Sequence, residues 1–335
     1  MAVVQLADII EPSLFTQYVV QKTTELSAFF QSGVVQQTDL MNQLTAAASN
    51  TFTVPFWNAL ASTEPNVSSD NNASAAVPMN INASSQVGIK QRRNQAWSAM
   101  DIVAGVAGSD PMQQIVNGVA GYWSRVLNQN IIAICNGIKA ANVAQDSGDM
   151  VNDISDDAVG APGAATLVTG PAVIDTWATL GDHSGDIVAI AMHSVVYHNL
   201  QAQDLITFVP TSRQELGIPT YLGKAVIVDD SLPAAAQTNQ IWYTTVLFGR
   251  GALAYGEGSP RVPTEIERSA LSGDGAGQET LVSRKDFCVH PGGFAWLSAS
   301  MAGTTPTNAE LATAANYDRR FARKNIPIAF LQSNG

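Results

Sequence analysis

The stretch that most limits what this chain can become is 110–141, which reads as one uninterrupted helix. Ser109 or Asp110 can cap it, and Pro111 takes the first helical position, where its missing N–H costs nothing. Met112, Ile115, Val116, Val119, Trp123, Val126, Leu127, Ile131, Ile134 and Ile138 recur at helical spacing. Gln113, Gln114, Asn117, Ser124, Asn128 and Lys139 fall on the other face, so the helix is expected to lie on something and stay wet elsewhere. At ~1.5 Å per residue it spans roughly 45 Å, more than a compact domain of this mass needs. Gly118 and Gly121 each cost ~1 kcal/mol relative to Ala, which packing against a neighbour would have to offset. A coiled coil is the alternative, but the e and g positions lack the charges it would use. A scaffold helix inside a larger fold is the expectation.

Its surroundings are short of charge. With 335 residues the chain can hold two or three subdomains with cores of their own. Yet only 13% of its residues are charged, about half the usual ~25% share. A monomer needs charge on its surface, whereas a subunit that buries surface against copies of itself does not. The net charge of −11 argues against nucleic-acid binding as the main task, because phosphate contacts need clustered Lys and Arg. It does not argue against enclosing nucleic acid. Cys135 and Cys288 have no metal or redox spacing, and Cys135 falls near the apolar side of the helix as a small buried hydrophobe. The start, MAVVQLADIIEPSLF, lacks the basic residues and continuous apolar core of a secretory signal, and nothing approaches the ~18 apolar residues of a membrane span. A soluble protein made in a cytoplasm is expected. The N-x-Ser sequons at Asn66, Asn72 and Asn82 are then chance occurrences in an Asn/Ser-rich stretch.

Residues 1–20 look like an arm that needs something to lie on, followed by a short amphipathic helix over Phe15 to Phe30. Gln31 to Gln37 is a strand candidate and Thr38 to Ser49 a short helix. Thr51 to Trp57 and Gln86 to Gln91 are extended segments enclosing a long polar stretch with no helical period. A loop of that length is functional or disordered, and two strands running out and back, supported by neighbouring subunits, would explain it. Lys90, Arg92 and Arg93 form a basic base suited to salt bridges with an acidic neighbour, or simply a solvated run. The acidic stretch 145–170 lacks calcium-loop spacing and reads as a boundary. From 171 to 248 helical and strand patterns interleave: Pro171 to Leu180, Ile187 to Met192, Ser194 to Gln203, Thr220 to Asp229 and Gln240 to Phe248. This implies a small mixed sheet with helices on its faces. Thr264 to Ala270 pairs plausibly with Glu279 to Val282, and further strands are expected at Asp286 to His290, Gly293 to Leu297 and Ile326 to Leu331, with a short helix at Asn308 to Ala315.

Candidate chemistry is thin. His193 and His198, with Asp204 nearby, are the nearest approach to a metal site, but five residues on a helix leave them roughly 140° apart. The glycine turn starting at Gly249 nominally fits a dinucleotide fingerprint, yet YGEGSPRVP cannot form the helix that motif feeds. No catalytic residue, cofactor or metal is assigned.

The order of pieces resembles the major capsid proteins of tailed bacteriophages, as does the phrase MHSVVYHNLQAQDLI followed by IPTYLGKAVIVDDSLP. That resemblance implies an α+β chain with the Hong Kong 97-like fold. It would comprise an N-terminal arm (1–36), an extended β-hairpin loop (51–98), a long spine helix (110–141) and an α/β axial domain (171–250). A peripheral domain would be formed by 37–50, 99–170 and 251–335. The implied function is a virion structural protein that self-assembles through pentamers and hexamers into an icosahedral head around double-stranded DNA. Its partners would be its own copies, a separate scaffolding protein, a portal and in some heads a decoration protein. Trp57, Lys90, Arg92 and Arg93 are the candidate intersubunit contacts. Some relatives cross-link through a lysine in the extended loop, but Lys90, the only lysine there, sits at its base, so no cross-link is carried over. An encapsulin-like compartment shell and an α/β enzyme using His193, His198 or the Gly249 turn are the alternatives.

Overall fold

The structure is a computed structural model and describes residues 28–60, 63–68, 70–73, 75–101, 111–209 and 218–335. Most of the expected arm and the caps Ser109 and Asp110 lie outside these residues.

The first described elements are short: helix α1 (Ala28–Gln31), strand β1 (Val35–Gln37) and helix α2 (Asp39–Ala46). Thr38 caps α2 by accepting the Met41 N–H at 3.3 Å, and Asp39 stands where the helix dipole favours negative charge. Strands β2 (Thr51–Trp57) and β3 (Ala83–Ile89) then pair antiparallel, from Thr51 opposite Ile89 to Trp57 opposite Ala83. The expected hairpin is therefore present. Beyond it the Asn58 N–H donates to the Asn82 carbonyl, and the Asn66 side-chain amide donates to the Val77 carbonyl at 3.2 Å. The polar stretch thus continues out and back, and every described residue from 59 to 82 is exposed. The returning arm ends sooner than 98. Strand β4 (Gln91–Met100) leaves the hairpin and pairs along its whole length with β14 (Gln278–Pro291).

Helix α3 (Pro111–Gln145) is the spine, about 50 Å long at ~1.5 Å per residue. Its first half is one-sided as expected: Met112, Val119 and Trp123 pack with Leu281, while Gln113 and Asn117 are exposed. Trp123 Nε1 donates to Ser283 Oγ at 2.9 Å, which fixes the helix to β14. The second half departs from the expectation of a wet outer face. From Leu127 onward it packs between two sheets and pairs Asn130 and Lys139 with them, while Gln129 and Gln145 stay exposed. Asn130 exchanges amide bonds with Gln91, and Lys139 donates to Thr244 Oγ1 at 2.9 Å and to Gln332 Oε1. Burial lowers the Lys139 pKa from its ordinary value, with Asp153 opposing it. Among the described residues nothing packs on Gly118 or Gly121. The glycine that packing requires is Gly137, where a Cβ would stand 2.1 Å from the Leu311 carbonyl oxygen.

The chain then threads a mixed sheet. Strand β5 (Val151–Asp153) precedes helix α4 (Gly170–Ala178), capped by Thr169. There follow β6 (Ile187–Met192), helix α5 (Ser194–Ala202), β7 (Thr207–Val209), β8 (Ile218–Tyr221), β9 (Lys224–Val228), β10 (Ala234–Ala236) and β11 (Ile241–Gly249). The sheet order is β5-β17-β11-β6-β9-β8-β7, with β10 paired to β11 and β17 being Ile328–Ser333. Helices α4 and α5 cover one face around Val173, Val196 and Leu200, while the spine covers the other around Ile131, Ile134 and Ile138. The sheet is not confined to 171–250. The last strand of the chain enters its middle, antiparallel to β11 and parallel to β5, because Ile328, Ala329, Phe330 and Leu331 are apolar on both faces. The acidic stretch after the spine is no free boundary either. Asp157 Oδ1 accepts the Asn239 and Gln240 N–H groups at 2.8 and 3.0 Å, which straps it across the β10–β11 turn.

A second sheet joins β1, β12 (Leu253–Gly258), β13 (Thr264–Ser269), β14 and β4. The pairing of Thr264–Ser269 with Gln278–Ser283 is as expected. The two strands expected at 279–282 and 286–290 are instead one. Arg284 and Lys285, which look like a break, each meet a carboxylate of a flanking strand: Glu265 at 2.9 Å and Glu257 at 3.4 Å. Strand β15 (Phe294–Trp296) pairs with β16 (Tyr317–Arg319), and helix α6 (Asn308–Leu311) starts on a capping box of Thr307 and Glu310. At the spine's end Arg319 binds both oxygens of Asp149, at 2.7 and 2.8 Å. Burial works against the charged form of Asp149, yet the bonds from Arg319 and Asn142 hold its pKa below the usual value.

Candidate assembly surfaces

The three cations at the foot of the hairpin have different surroundings. Lys90 is 3% exposed and its ammonium donates to the Ala47 carbonyl at the end of α2. Burial, reinforced by the neighbouring Arg92 guanidinium, lowers its pKa. Arg93 donates to Asn308 Oδ1 at 3.1 Å, while its Nε is buried without a hydrogen-bond partner among the described residues. Arg92 is the open one, half-exposed and 3.8 Å from Asp286. Two further cations join them from the far end of the chain. Together Lys90, Arg92, Arg93, Arg261 and Arg284 line a concavity of about 430 Å3, with Asp286 as its carboxylate. Sequence reading missed Arg261 and Arg284: the register of β14 against β4 sets Arg284 beside the first three, and Arg261 comes from the segment between β12 and β13.

Trp57, at the outer end of β2, is 70% exposed. The alternation of β2 explains it: Phe52 points inward near the base, while Thr51, Thr53, Pro55 and Trp57 point out. The hairpin is anchored by Gln86, whose Oε1 accepts from Gly293 N–H at 3.1 Å and stands 3.1 Å from His290 Nε2. Phe52 meets the His290 ring edge-on, and Phe56 meets Phe321 at 4.9 Å between ring centres. Burial pushes the His290 pKa down to about 4, so at neutral pH the ring is uncharged and its Nε2–H donates to Gln86. A close fit keeps the strand in place, since a Cβ on Gly88 would stand 2.3 Å from the Phe52 ring.

The residues weighed for chemistry have structural surroundings. His193 is the N-cap of α5 and accepts the Val195 N–H at 3.2 Å, while His198 packs edge-on against Tyr197. The turn after Gly249 opens into β12, which is a strand paired antiparallel with β14. Both cysteines are buried, and burial raises each thiol pKa to about 12, so neither is poised as a nucleophile. Among the described residues no group of three or more His, Cys, Asp or Glu side chains is placed to hold a metal. No described helix is long and apolar enough to cross a membrane.

Residues 50–325, from the hairpin to the last turn before β17, match the family described as Gp13-like, major capsid protein 13-like. This chain belongs to the Gp13-like major capsid protein family. It is 40% identical over 331 residues to the major capsid protein of Bacillus phage SPP1, covering 98% of this chain and 97% of that one. Its fold is also that of solved phage shells. It superposes on the capsid of Ralstonia phage GP4 with a TM-score of 0.55, at 8% identity over 93% of this chain and 90% of that one. For the cyanophage Pam1 capsid the TM-score is 0.56, at 10% identity over 94% and 92%. The α+β architecture is thus the Hong Kong 97-like capsid fold, and the chain is a phage major capsid protein and a virion component.

Proposed function

We propose that this capsid protein assembles with copies of itself, through pentamers and hexamers, into an icosahedral head enclosing double-stranded DNA. It acts by assembly and not by catalysis, and it forms in the host cytoplasm with the help of a separate scaffolding protein and a portal. The observation that carries this reading is the hairpin and its extension. Trp57, Leu60, Val67, Val77 and Met79 are each at least 66% exposed on an arm whose outer part, among the described residues, touches nothing else in the subunit. Exposed apolar residues and unpaired strand edges on one arm are a liability for a monomer and become buried contacts in a shell. The extended loop is therefore an intersubunit clamp, with Trp57 and Arg92 among its contacts. Lys90 and Arg93 shape the foot from within. The net charge of −11 suits a shell that must not hold its DNA tightly. Matches to phage capsid proteins favour a phage head over the encapsulin-like alternative.

Negative-stain microscopy with sedimentation of the purified chain tests the proposal. Closed particles, or free pentamers and hexamers, are expected. A chain that stays monomeric at high concentration even with scaffolding protein present would refute it. Deleting Ser62 to Asn82 should leave a folded subunit that forms no stable shells, and normal shells from that variant would remove the clamp.

A further inference from the structure

We propose that the basic concavity at the foot of the hairpin receives the 58–82 extension of a second copy of this chain, through Glu64 and Asp70. The inference rests on the clamp reading above and names what the clamp grips.

The first observation is a charge imbalance at the foot. The chain has 17 Lys and Arg against 28 Asp and Glu, yet five cations converge here on one lining carboxylate. Arg284 is engaged by Glu265 at 2.9 Å, but Arg92 stands 3.8 Å from Asp286 and Arg261 has no partner among the described residues. The concavity therefore carries more positive charge than the described residues of the subunit neutralise. The second observation is the opposite imbalance on the extension. Glu64 and Asp70 are the only ionisable side chains from 58 to 82, and both are exposed.

The third observation is where these two surfaces lie. The β2–β3 register runs outward from Thr51, and the Asn58–Asn82 and Asn66–Val77 bonds carry the same direction further. At ~3.3 Å per residue Glu64 stands roughly 40 Å from the base of β2. An extended hairpin in this register cannot bring its own tip back to its own foot. Complementary surfaces at opposite ends of one arm make a head-to-tail contact, which closes into a ring when the rotation between copies allows it. Ala46, Ala47, Ala48 and Pro260 on the rim offer apolar surface to Val67 and Val77 beside the two carboxylates.

A DNA phosphate is the other anion such a concavity could take. The local chemistry favours a protein segment. Lys90 is already engaged by the α2 carbonyl end, and Asp286 stands inside, whereas a phosphate track needs a run of free cations along a surface.

The test is a charge swap in the full-length chain, under conditions where the unaltered chain forms closed shells. Glu64→Lys with Asp70→Lys, and separately Arg92→Glu with Arg261→Glu, should each raise the protein concentration needed for half-assembly about tenfold or more, while thermal unfolding of the subunit is unchanged. Combining all four substitutions should restore assembly. A Cys pair at Asp70→Cys and Arg261→Cys should give a ladder of disulfide-linked copies from assembled shells on a non-reducing gel. Normal assembly of both charge variants, or no rescue by the combination together with no ladder, would overturn the proposal. Shells that form normally from the Arg92→Glu, Arg261→Glu variant but release DNA would assign the concavity to phosphate instead. The clamp reading fails separately, only if the 62–82 deletion still makes shells.

Discussion

In the eight-stranded sheet Ile187, Ala189, Ile190, Ala191 and Leu247 are fully buried, whereas along the two strands of the hairpin only Phe52, at 8% exposed, Gly88 and Ile89, at 5%, are buried. Both regions are strands joined by turns, and both place apolar residues at alternating or continuous positions. The sheet has helices on each face, so its strands close a core within one subunit. Among the described residues the hairpin meets the body of the subunit through Gln86, Phe52 and Phe56. On the clamp reading proposed above, the sheet folds for itself and the hairpin is completed by assembly, and substitutions should separate the two.

The largest effect is expected in the sheet. Leu247→Ala removes a fully buried side chain between two covered faces and should cost about 2–5 kcal/mol in urea unfolding of the subunit. A loss of the same size from a substitution in the outer hairpin would break the comparison. At the hairpin's foot the expected loss is up to about 3 kcal/mol. Gln86→Leu leaves the Gly293 N–H and the His290 ring without their acceptor, which unfolding and hydrogen exchange at Gly293 should both report.

The same foot should respond to pH. His290 has its pKa lowered from 6.5 to about 4 in the fold, so between those values the unfolded chain binds the proton and the folded one does not. Stability therefore falls as pH falls through that window, by about 2 kcal/mol between pH 7 and pH 5. A His290→Gln variant should lose that part of the slope, and an unchanged slope would place the ring in a wetter site. The smallest effect on the subunit is expected at Trp57→Ser, within about 0.5 kcal/mol in unfolding, because the ring is exposed. Its yield of shells should nevertheless drop. Destabilised monomer with normal shells would reverse the roles given to the two regions.

Much of the architecture was readable from local pattern. Pro111 and the helical spacing of Val119, Trp123 and Ile131 announced the spine, and the continuous apolar run Ile187–Met192 announced a buried strand with the bounds it has. Thr51–Trp57 was legible as one arm of a hairpin because Pro55 holds it extended, and the exposed stretch after it was legible from its lack of period. These features depend on neighbours a few residues away, which is the range over which periodicity and capping act. Tertiary structure decided the rest. It placed Ile328–Ser333 between β5 and β11, ran β14 unbroken through Arg284 and Lys285, and set Arg261 and Arg284 beside Lys90, Arg92 and Arg93. It also turned Lys90 inward and joined Gln86 to His290 across 204 positions of chain. Such pairings arise from the register of strands far apart in sequence, and a single chain carries no local mark of which distant strand will lie beside which.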